Sequence, residues 1–389
     1  NNDSTLLLCI LLVCLLSHTL ASYHLTIKVI TYNRPASLKR LIHSLQKTKP
    51  LPYKSQYISV HFHIEHEPHE EVRPLVDSFS WSFNGDVQVF ERQQKGGLVN
   101  AIVESWYPSN DRDFVLILED DVELSPLWLH WVDWILETGN LKWDDQMFGV
   151  SLYTPRYVET KRTMQERHEI HIWDEVNHHG YNAIALQVPC SWGAVWSPKS
   201  WIFYREYLRI RNKVHDACVT EGVKEEEAGK SKASWLSWMR WNPFSSHREV
   251  QCDLPFKGRD VIVDIPNTEV IWWSDSWVKF YTELAYMRGW YMIYPNFPNE
   301  ESFSTNHMDP GVHVKADDHE DKHPKHLYTV PLLETWSGVQ TPEFVDDLVI
   351  LDYRFEEKAS VKELEEAGAL EWKRFLRRAR RVLRSGKDE

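Results

Sequence analysis

The stretch FVLILEDDVELSP, Phe114 to Pro126, runs five apolar residues straight into three consecutive acids, Glu119, Asp120 and Asp121. A short apolar run bounded by polar residues reads as a buried strand. Adjacent carboxylates repel, so three of them at the end of such a strand need an explanation. In an extended chain Glu119 and Asp121 point to one side and Asp120 to the other. One reading is a solvated first turn of the helix that ELSPLWLHW begins, because acids favour helix N-termini. The other is a divalent cation, which accepts oxygen ligands and offsets the repulsion that would otherwise raise the carboxylate pKa values.

The segments upstream give that strand its neighbours. LTIKVITYNRP (Leu25 to Pro35) reads as a β-branched strand ending in a turn, and ASLKRLIHSLQ places Leu38, Leu41, Ile42 and Leu45 on one helical face. YISVHFHIEHE and DVQVFERQ read as two further strands, and LVNAIVESWY as a helix. Strands alternating with helices predict a mainly parallel sheet with helices on both faces, and ligands bind at the carboxyl ends of such strands. Glu119, Asp120 and Asp121 lie at one of those ends.

Downstream, PLWLHWVDWILE reads as a Trp-rich helix and QVPCSWGAVWSPKSWIFYREYLRIR as strand, turn and helix. EGVKEEEAGKSK (Glu221 to Lys232) reads as a charged, solvated loop. DSWVKFYTELAYMRGWYMIYP reads as a helix closed by Gly289 and followed by a strand. The polar VKADDHEDKHPKH precedes a last helix ending in EWKRFLRRARRVLRSGK. On that helix Arg377, Arg378, Arg380, Arg381 and Arg384 stand beside Trp372, Phe375 and Leu376. This is the composition of a helix that meets an anionic membrane or docks its apolar stripe on the domain.

Composition narrows the classes. With 389 residues, 42% of them hydrophobic, the chain is long enough for two lobes or one large domain. The formal net charge of −13 argues against nucleic acid as a partner, but not against a nucleotide held through a metal ion. Nineteen Trp suit the apolar faces of sugar rings, although most Trp residues serve packing. Residues 1–21, apolar from Leu6 to Leu16 and ending in Thr19-Leu20-Ala21, read as a secretory signal peptide, with a short membrane anchor as the alternative. Cys190, Cys218 and Cys252 lie beyond that segment and allow at most one intramolecular disulfide. Zinc is disfavoured, since the histidines (His61 and His63, HEIH, NHH) lack an HExxH-like spacing.

LILEDDVELSP resembles the DxD region, often written EDD, of GT-A nucleotide-sugar glycosyltransferases. It resembles especially the family 2-like enzymes and N-acetylglucosaminyltransferase I. The resemblance implies a GT-A (Rossmann-like) α/β fold with a mainly parallel sheet flanked by helices. Residues 25–125 would be its nucleotide-binding half, 126–314 its acceptor half and 315–389 a C-terminal extension ending in a basic helix. It implies that Asp121 ligates Mn²⁺ (or Mg²⁺) bridging a UDP- or GDP-sugar diphosphate, that Asp120 approaches the ribose, and that Glu119 supports the first position. VITYNRPASLKRLIHSL matches the first strand and helix, which makes Thr31, Asn33 and Arg34 donor-site candidates. In FHIEHEPHEE, Glu65 takes the place of an Asp that reads the base edge. In RQQKGGLVNA, Arg92 or Lys95 meets phosphate or sugar. SDSWVKFYTELAYMRGWYMIYP matches the helix-opening signature whose acid deprotonates the acceptor. Asp275 is therefore the expected general base, with Ser274 replacing the usual Glu and Asp253, Asp260 and Asp264 in reserve. Trp192 and Gly193 would form a wall for donor sugar and acceptor. His307 or His313 in STNHMDPGVHV would add a metal ligand.

The function implied is an inverting, metal-dependent transfer of a sugar to a glycan, glycolipid or glycoprotein hydroxyl in the secretory-pathway lumen (Golgi or endoplasmic reticulum). Two rivals share the core. A sugar nucleotidyltransferase needs a GxGTRxxP-like loop where this chain has TYNRP. A catalytically degenerate carbohydrate-binding protein has Ser274 in its favour.

Overall fold

The computed structural model describes residues 23–53, 56–158, 160, 180–231, 262–268, 270, 276–311 and 328–385. In chain order the strands and helices begin with β1 (His24–Thr31), α1 (Pro35–Gln46), β2 (Ile58–Ile64), α2 (Val72–Asp77) and β3 (Val87–Glu91). They continue with α3 (Gly97–Val103), β4 (Asp113–Glu119), β5 (Val122–Leu124), α4 (Trp128–Asp133), β6 (Met147–Ser151), β7 (Ala183–Leu186) and β8 (Ala194–Trp196). The last group is α5 (Pro198–Ser231), α6 (Trp277–Arg288), β9 (Tyr291–Pro295), β10 (Ser304–Asn306), β11 (Ile350–Leu351), β12 (Glu357–Lys358) and α7 (Val361–Ser385).

Ten of these strands form one mixed sheet in the order β12-β11-β7-β9-β6-β8-β4-β1-β2-β3. The half built from β3, β2, β1 and β4 is wholly parallel, as the alternation of strands and helices predicts. Beyond β4 the pairings are mixed. β8 is antiparallel to both β4 and β6, while β6–β9 and β7–β11 are parallel. Strands β11 and β12, from the C-terminal segment, extend the same sheet. β5 and β10 form a separate antiparallel pair just past the end of β4.

Strand periodicity sorts β4 between two cores. Phe114, Leu116 and Leu118 pack on the layer holding Leu38, Leu41 and Leu45 of α1. Val115 and Ile117 face the opposite layer, with α3, α5 and α6. In that second layer Trp196, Trp201, Trp277, Tyr204 and Tyr281 form one aromatic block, with Trp196 and Tyr281 ring centres 4.6 Å apart. The Trp richness is thus in large part core packing.

One sequence reading changes and one is decided. Glu221 to Ser231, expected to be a solvated loop, continue α5 as helix. Glu, Lys and Ala are strong helix formers, and the absence of apolar positions did not prevent the backbone from propagating. On α7, Leu364, Phe375 and Ala379 are buried, so the helix docks its apolar stripe and leaves Arg377, Arg380, Arg381 and Arg384 exposed. Its N-terminal half crowds the end of α6. Gly289 closes α6 in the left-handed region (φ 65°), and a Cβ there would lie 2.4 Å from the Glu365 backbone. Among the described residues no helix is long and apolar enough to cross a membrane.

Candidate active site

The parallel half of the sheet brings its strand ends together. Register pairs Ile30 with Glu119, Thr31 with Ile64, and Ile64 with Glu91. The turn after β1, the turns after β2 and β3, and the three acids therefore share the carboxyl edge of the sheet. Arg34 precedes a proline, which keeps it out of the helical region (φ −116°, ψ 71°) and starts α1 one residue later. Its side chain is thereby thrown across the sheet edge toward β4.

There Arg34 meets the acids. Its Nη1 donates to Asp121 Oδ2 at 2.8 Å and to the Asp309 carbonyl at 3.1 Å, while Nη2 contacts Asp120 Oδ1. Thr31 Oγ1 donates to Asp120 Oδ2 at 2.8 Å. Asp120 is 2% exposed, and its Oδ1 touches the guanidinium without an aligned hydrogen bond. Glu119 accepts from the Trp277 indole Nε1 at 3.3 Å, which ties the start of α6 to the cluster. Burial, with Asp121 adding to it against Arg34, pushes the Glu119 pKa up to about 8. Burial also raises Asp120, Arg34 opposing and Asp121 reinforcing. Burial opposes the charge of Arg34, but Asp120, Asp121 and Glu119 together outweigh it and raise its pKa.

A strap from the C-terminal side closes one flank. β10 pairs with β5, so the His307 amide donates to the Asp121 carbonyl at 3.1 Å. The His307 ring is turned to Glu123, with Nε2 to Oε2 at 2.8 Å, and that bond holds the Glu123 carboxyl below its usual pKa. Two residues on, Asp309 accepts from Ser37 Oγ at 2.7 Å and pairs with Arg40. Burial works against the Asp309 charge, and these two partners outweigh it.

The remaining candidates take different places. Glu65 accepts backbone N–H groups of His66 (2.8 Å), Gly96 (3.2 Å) and Gly97 (2.9 Å), so its carboxylate holds the loop that opens α3. Arg92 lies 3.7 Å from Glu65 and donates to Glu104 at 2.9 Å. Asn33 and Lys95 are exposed on the same edge. Gly193 sits at φ 94°, where a Cβ would press on Ser304 at 3.3 Å, and Ser304 donates to the Trp192 carbonyl at 2.6 Å. Trp192 is half-buried, edge-on to Tyr153 (4.8 Å) and Tyr328 (5.4 Å). These three, with Arg156, Tyr157 and Val278, are among the residues lining a largely apolar cavity of about 570 Å³ counting its open mouth. Val278 follows Trp277, so the cavity and the acid cluster are neighbours along α6. Cys190 is free and buried there, and burial pushes its thiol up to about 11. Asp275, Ser274, His313 and the reserve residues Asp253 and Asp260 lie outside the described residues, as do Cys252 and the side chain of Cys218.

Glu123, Trp277 and Asp309 were not among the expected site residues. Each stands within two residues of one that was, on a segment singled out by its motif, so proximity in sequence was the available signal. Tyr153, Tyr328 and Arg156 carried none.

Among the described residues no group of three or more His, Cys, Asp and Glu side chains is placed to hold a metal ion by itself. The oxygen set nevertheless fits a hard divalent cation that keeps other ligands. Asp120 Oδ1 is buried without a hydrogen bond, Asp121 is partly open, and cations held near phosphates use only one or two carboxylates.

A family model described as the SPBC1E8.03c C-terminal domain matches residues 36–217, less than half of the chain. Comparison with curated proteins returned no match. Among solved structures, S. aureus TarS (residues 1–349) is similar at 14% identity and TM-score 0.28, covering 46% of this chain and 48% of that one. The mannosyltransferase PcManGT from Pyrobaculum calidifontis, in complex with GDP-Man and Mn²⁺, has 14% identity, TM-score 0.28 and 46% coverage of each chain. Glucosyl-3-phosphoglycerate synthase from Mycobacterium tuberculosis, with Mn²⁺, UDP-glucose and glycerol 3-phosphate, has 14% identity and TM-score 0.29, covering 46% and 58%. The chain spans about half the length of these solved proteins.

Proposed function

We propose that this chain is a glycosyltransferase that moves a sugar from a nucleoside-diphosphate donor to a hydroxyl of a glycan-type acceptor, with inversion and with a divalent cation, Mn²⁺ or Mg²⁺. The observation that carries the reading is the charge imbalance at the end of β4: two carboxylates, Asp120 and Asp121, contact one guanidinium at the carboxyl edge of a parallel sheet, with Glu119 close behind them. A purely structural ion pair has no use for the surplus. A cation bound there would neutralise the charge that develops on the departing diphosphate.

The protein's own groups have separable tasks. Thr31 fixes Asp120 in orientation, and Asp121, partly open beside Arg34, is the metal-ligand candidate, with His307 close by as a further one. Arg34 and the exposed Asn33 and Lys95 face the donor. The largely apolar cavity at Trp192 suits a sugar ring, whose apolar face stacks on an aromatic side chain. Asp275 is the base in this reading. It stands two residues before Trp277 in the sequence, and Trp277 touches Glu119. In the transfer step the acceptor oxygen forms a bond to the donor's anomeric carbon. The bond from that carbon to the β-phosphate oxygen breaks, the electron pair leaves with the diphosphate, and the acceptor proton passes to Asp275. The apolar segment from Leu6 to Leu16 supports placement in the secretory-pathway lumen.

Screening UDP- and GDP-sugars with Mn²⁺ for slow hydrolysis identifies the donor, and at least one is expected to be cleaved. Asp275→Asn is expected to bind that donor normally and to transfer about 10² to 10⁴ times more slowly. Undiminished transfer would remove Asp275 from the base position. One observation favours a second reading, a carbohydrate-binding protein without catalysis: Arg34 already partly neutralises the acids. That reading expects sugar binding and no response to nucleotide or metal.

A further inference from the structure

We propose that Arg34 is an exchangeable counter-ion: it occupies the cation position on Asp120 and Asp121 and moves to the donor's diphosphate when metal and nucleotide enter together. The inference rests on the proposed function and adds a coupling that the function alone does not require.

The geometry defines a competition. Arg34 Nη1 uses Asp121 Oδ2 at 2.8 Å, and Nη2 contacts Asp120 Oδ1, the buried oxygen that lacks an aligned hydrogen bond. A divalent cation on Asp121 would need the same oxygens and would repel a guanidinium left in place. Metal alone must therefore displace Arg34 into surroundings that offer little in return. Among the described residues its other side-chain hydrogen bond is to one carbonyl, that of Asp309 at 3.1 Å, while the Asp309 carboxylate is already engaged by Ser37 and Arg40.

A diphosphate changes this balance. Its oxygens match the planar fork of a guanidinium, and it brings negative charge to screen the two cations from each other. Arg34 has room to make the move, since its side chain is 20% exposed and springs from the turn between β1 and α1 rather than from within an element. Metal and nucleotide then each strengthen the binding of the other by the same factor. The protein would not hold metal tightly without its donor.

The test is calorimetric titration of the full chain and of Arg34→Met with MnCl₂ alone, UDP or GDP alone, and MnCl₂ at saturating nucleotide. The wild type is expected to bind Mn²⁺ weakly alone and at least tenfold more tightly with nucleotide. Arg34→Met is expected to bind Mn²⁺ alone at least tenfold more tightly than the wild type and to gain less than threefold from nucleotide. Arg34→Lys keeps a cation without the fork and is expected to fall between the two, which preserves the test if the Met variant does not fold. An Arg34→Met or Arg34→Lys protein with unchanged Mn²⁺ affinity and full coupling would overturn the inference while leaving the proposed function standing. A wild type with no metal-dependent nucleotide binding would overturn both.

Discussion

Arg211 and Arg34 meet acids in opposite ways. Arg211 on α5 and Glu283 on α6 form a bidentate pair, Nε to Oε2 at 2.6 Å and Nη2 to Oε1 at 2.9 Å, with side chains 1% and 0% exposed. Tyr207 Oη donates to the same carboxylate at 2.6 Å, and the Phe280 ring lies 4.4 Å from the guanidinium. Glu283 answers Arg211 directly, and both side chains are sealed from solvent. Arg34 instead contacts two acids, with Glu119 close behind them, on an edge that is partly open. A buried pair of this kind fixes how two helices pack, whereas the proposed function makes the open cluster at the strand end a ligand site. α6 links the two, since it carries both Glu283 and the Trp277 that touches Glu119.

The largest effect tests the sealed pair. Glu283→Ala leaves Arg211 charged and buried, and is expected to cost about 3 to 5 kcal/mol in denaturant unfolding. Combining Arg211→Met with Glu283→Leu is expected to recover most of that loss, because it removes both buried charges. A Glu283→Ala cost below about 1 kcal/mol would erase the contrast between the two arginines.

The open cluster should behave in reverse. Asp121→Asn is expected to change stability by no more than about 1 kcal/mol, since Asp120 still answers Arg34. Yet it should lower Mn²⁺-dependent nucleotide affinity on the order of 100-fold. Destabilisation comparable to that of Glu283→Ala would make Asp121 a packing residue.

Burial without a charge partner sharpens the comparison at a smaller scale. His63 on β2 stacks on Phe90 at 4.9 Å, its Nε2 buried without a hydrogen bond. Burial, with Lys28 adding to it, holds its pKa at about 3. The folded state therefore binds fewer protons than the unfolded state between about pH 3 and 6.5, so stability rises with pH through that window. His63→Phe is expected to flatten the curve by up to about 1.4 kcal/mol per pH unit, and an unchanged slope would show that His63 is charged in the fold. The smallest effect is expected at the strap, where His307→Ala should weaken Mn²⁺ binding about tenfold and leave the unfolding midpoint nearly unchanged.

The parallel half of the sheet and the acids at its edge were legible because each strand there is long, β-branched and separated by an amphipathic helix. Of the other half, the strand after Gly289 was legible, whereas β7 and β8, AIAL and AVW, are too short to carry a period. Thr31 and Arg34 could be placed at the site from their motif, but their pairing with Asp120 and Asp121 depends on β1–β4 register across nearly ninety residues. Glu65 shows the converse. Its position at a strand end was readable, while its engagement by the amides of Gly96 and Gly97 is a property of loop geometry. The helical course of Glu221 to Ser231 was missed because a charged segment without apolar positions shows no period, though its residue types favour helix.

Calorimetric titration of the wild type with UDP and with GDP, each with and without Mn²⁺, tests the central claim most directly. Binding of one nucleotide that appears or strengthens at least tenfold with Mn²⁺, and that is lost in Asp121→Asn, is the predicted result. Nucleotide binding indifferent to metal, or none at all, would contradict it.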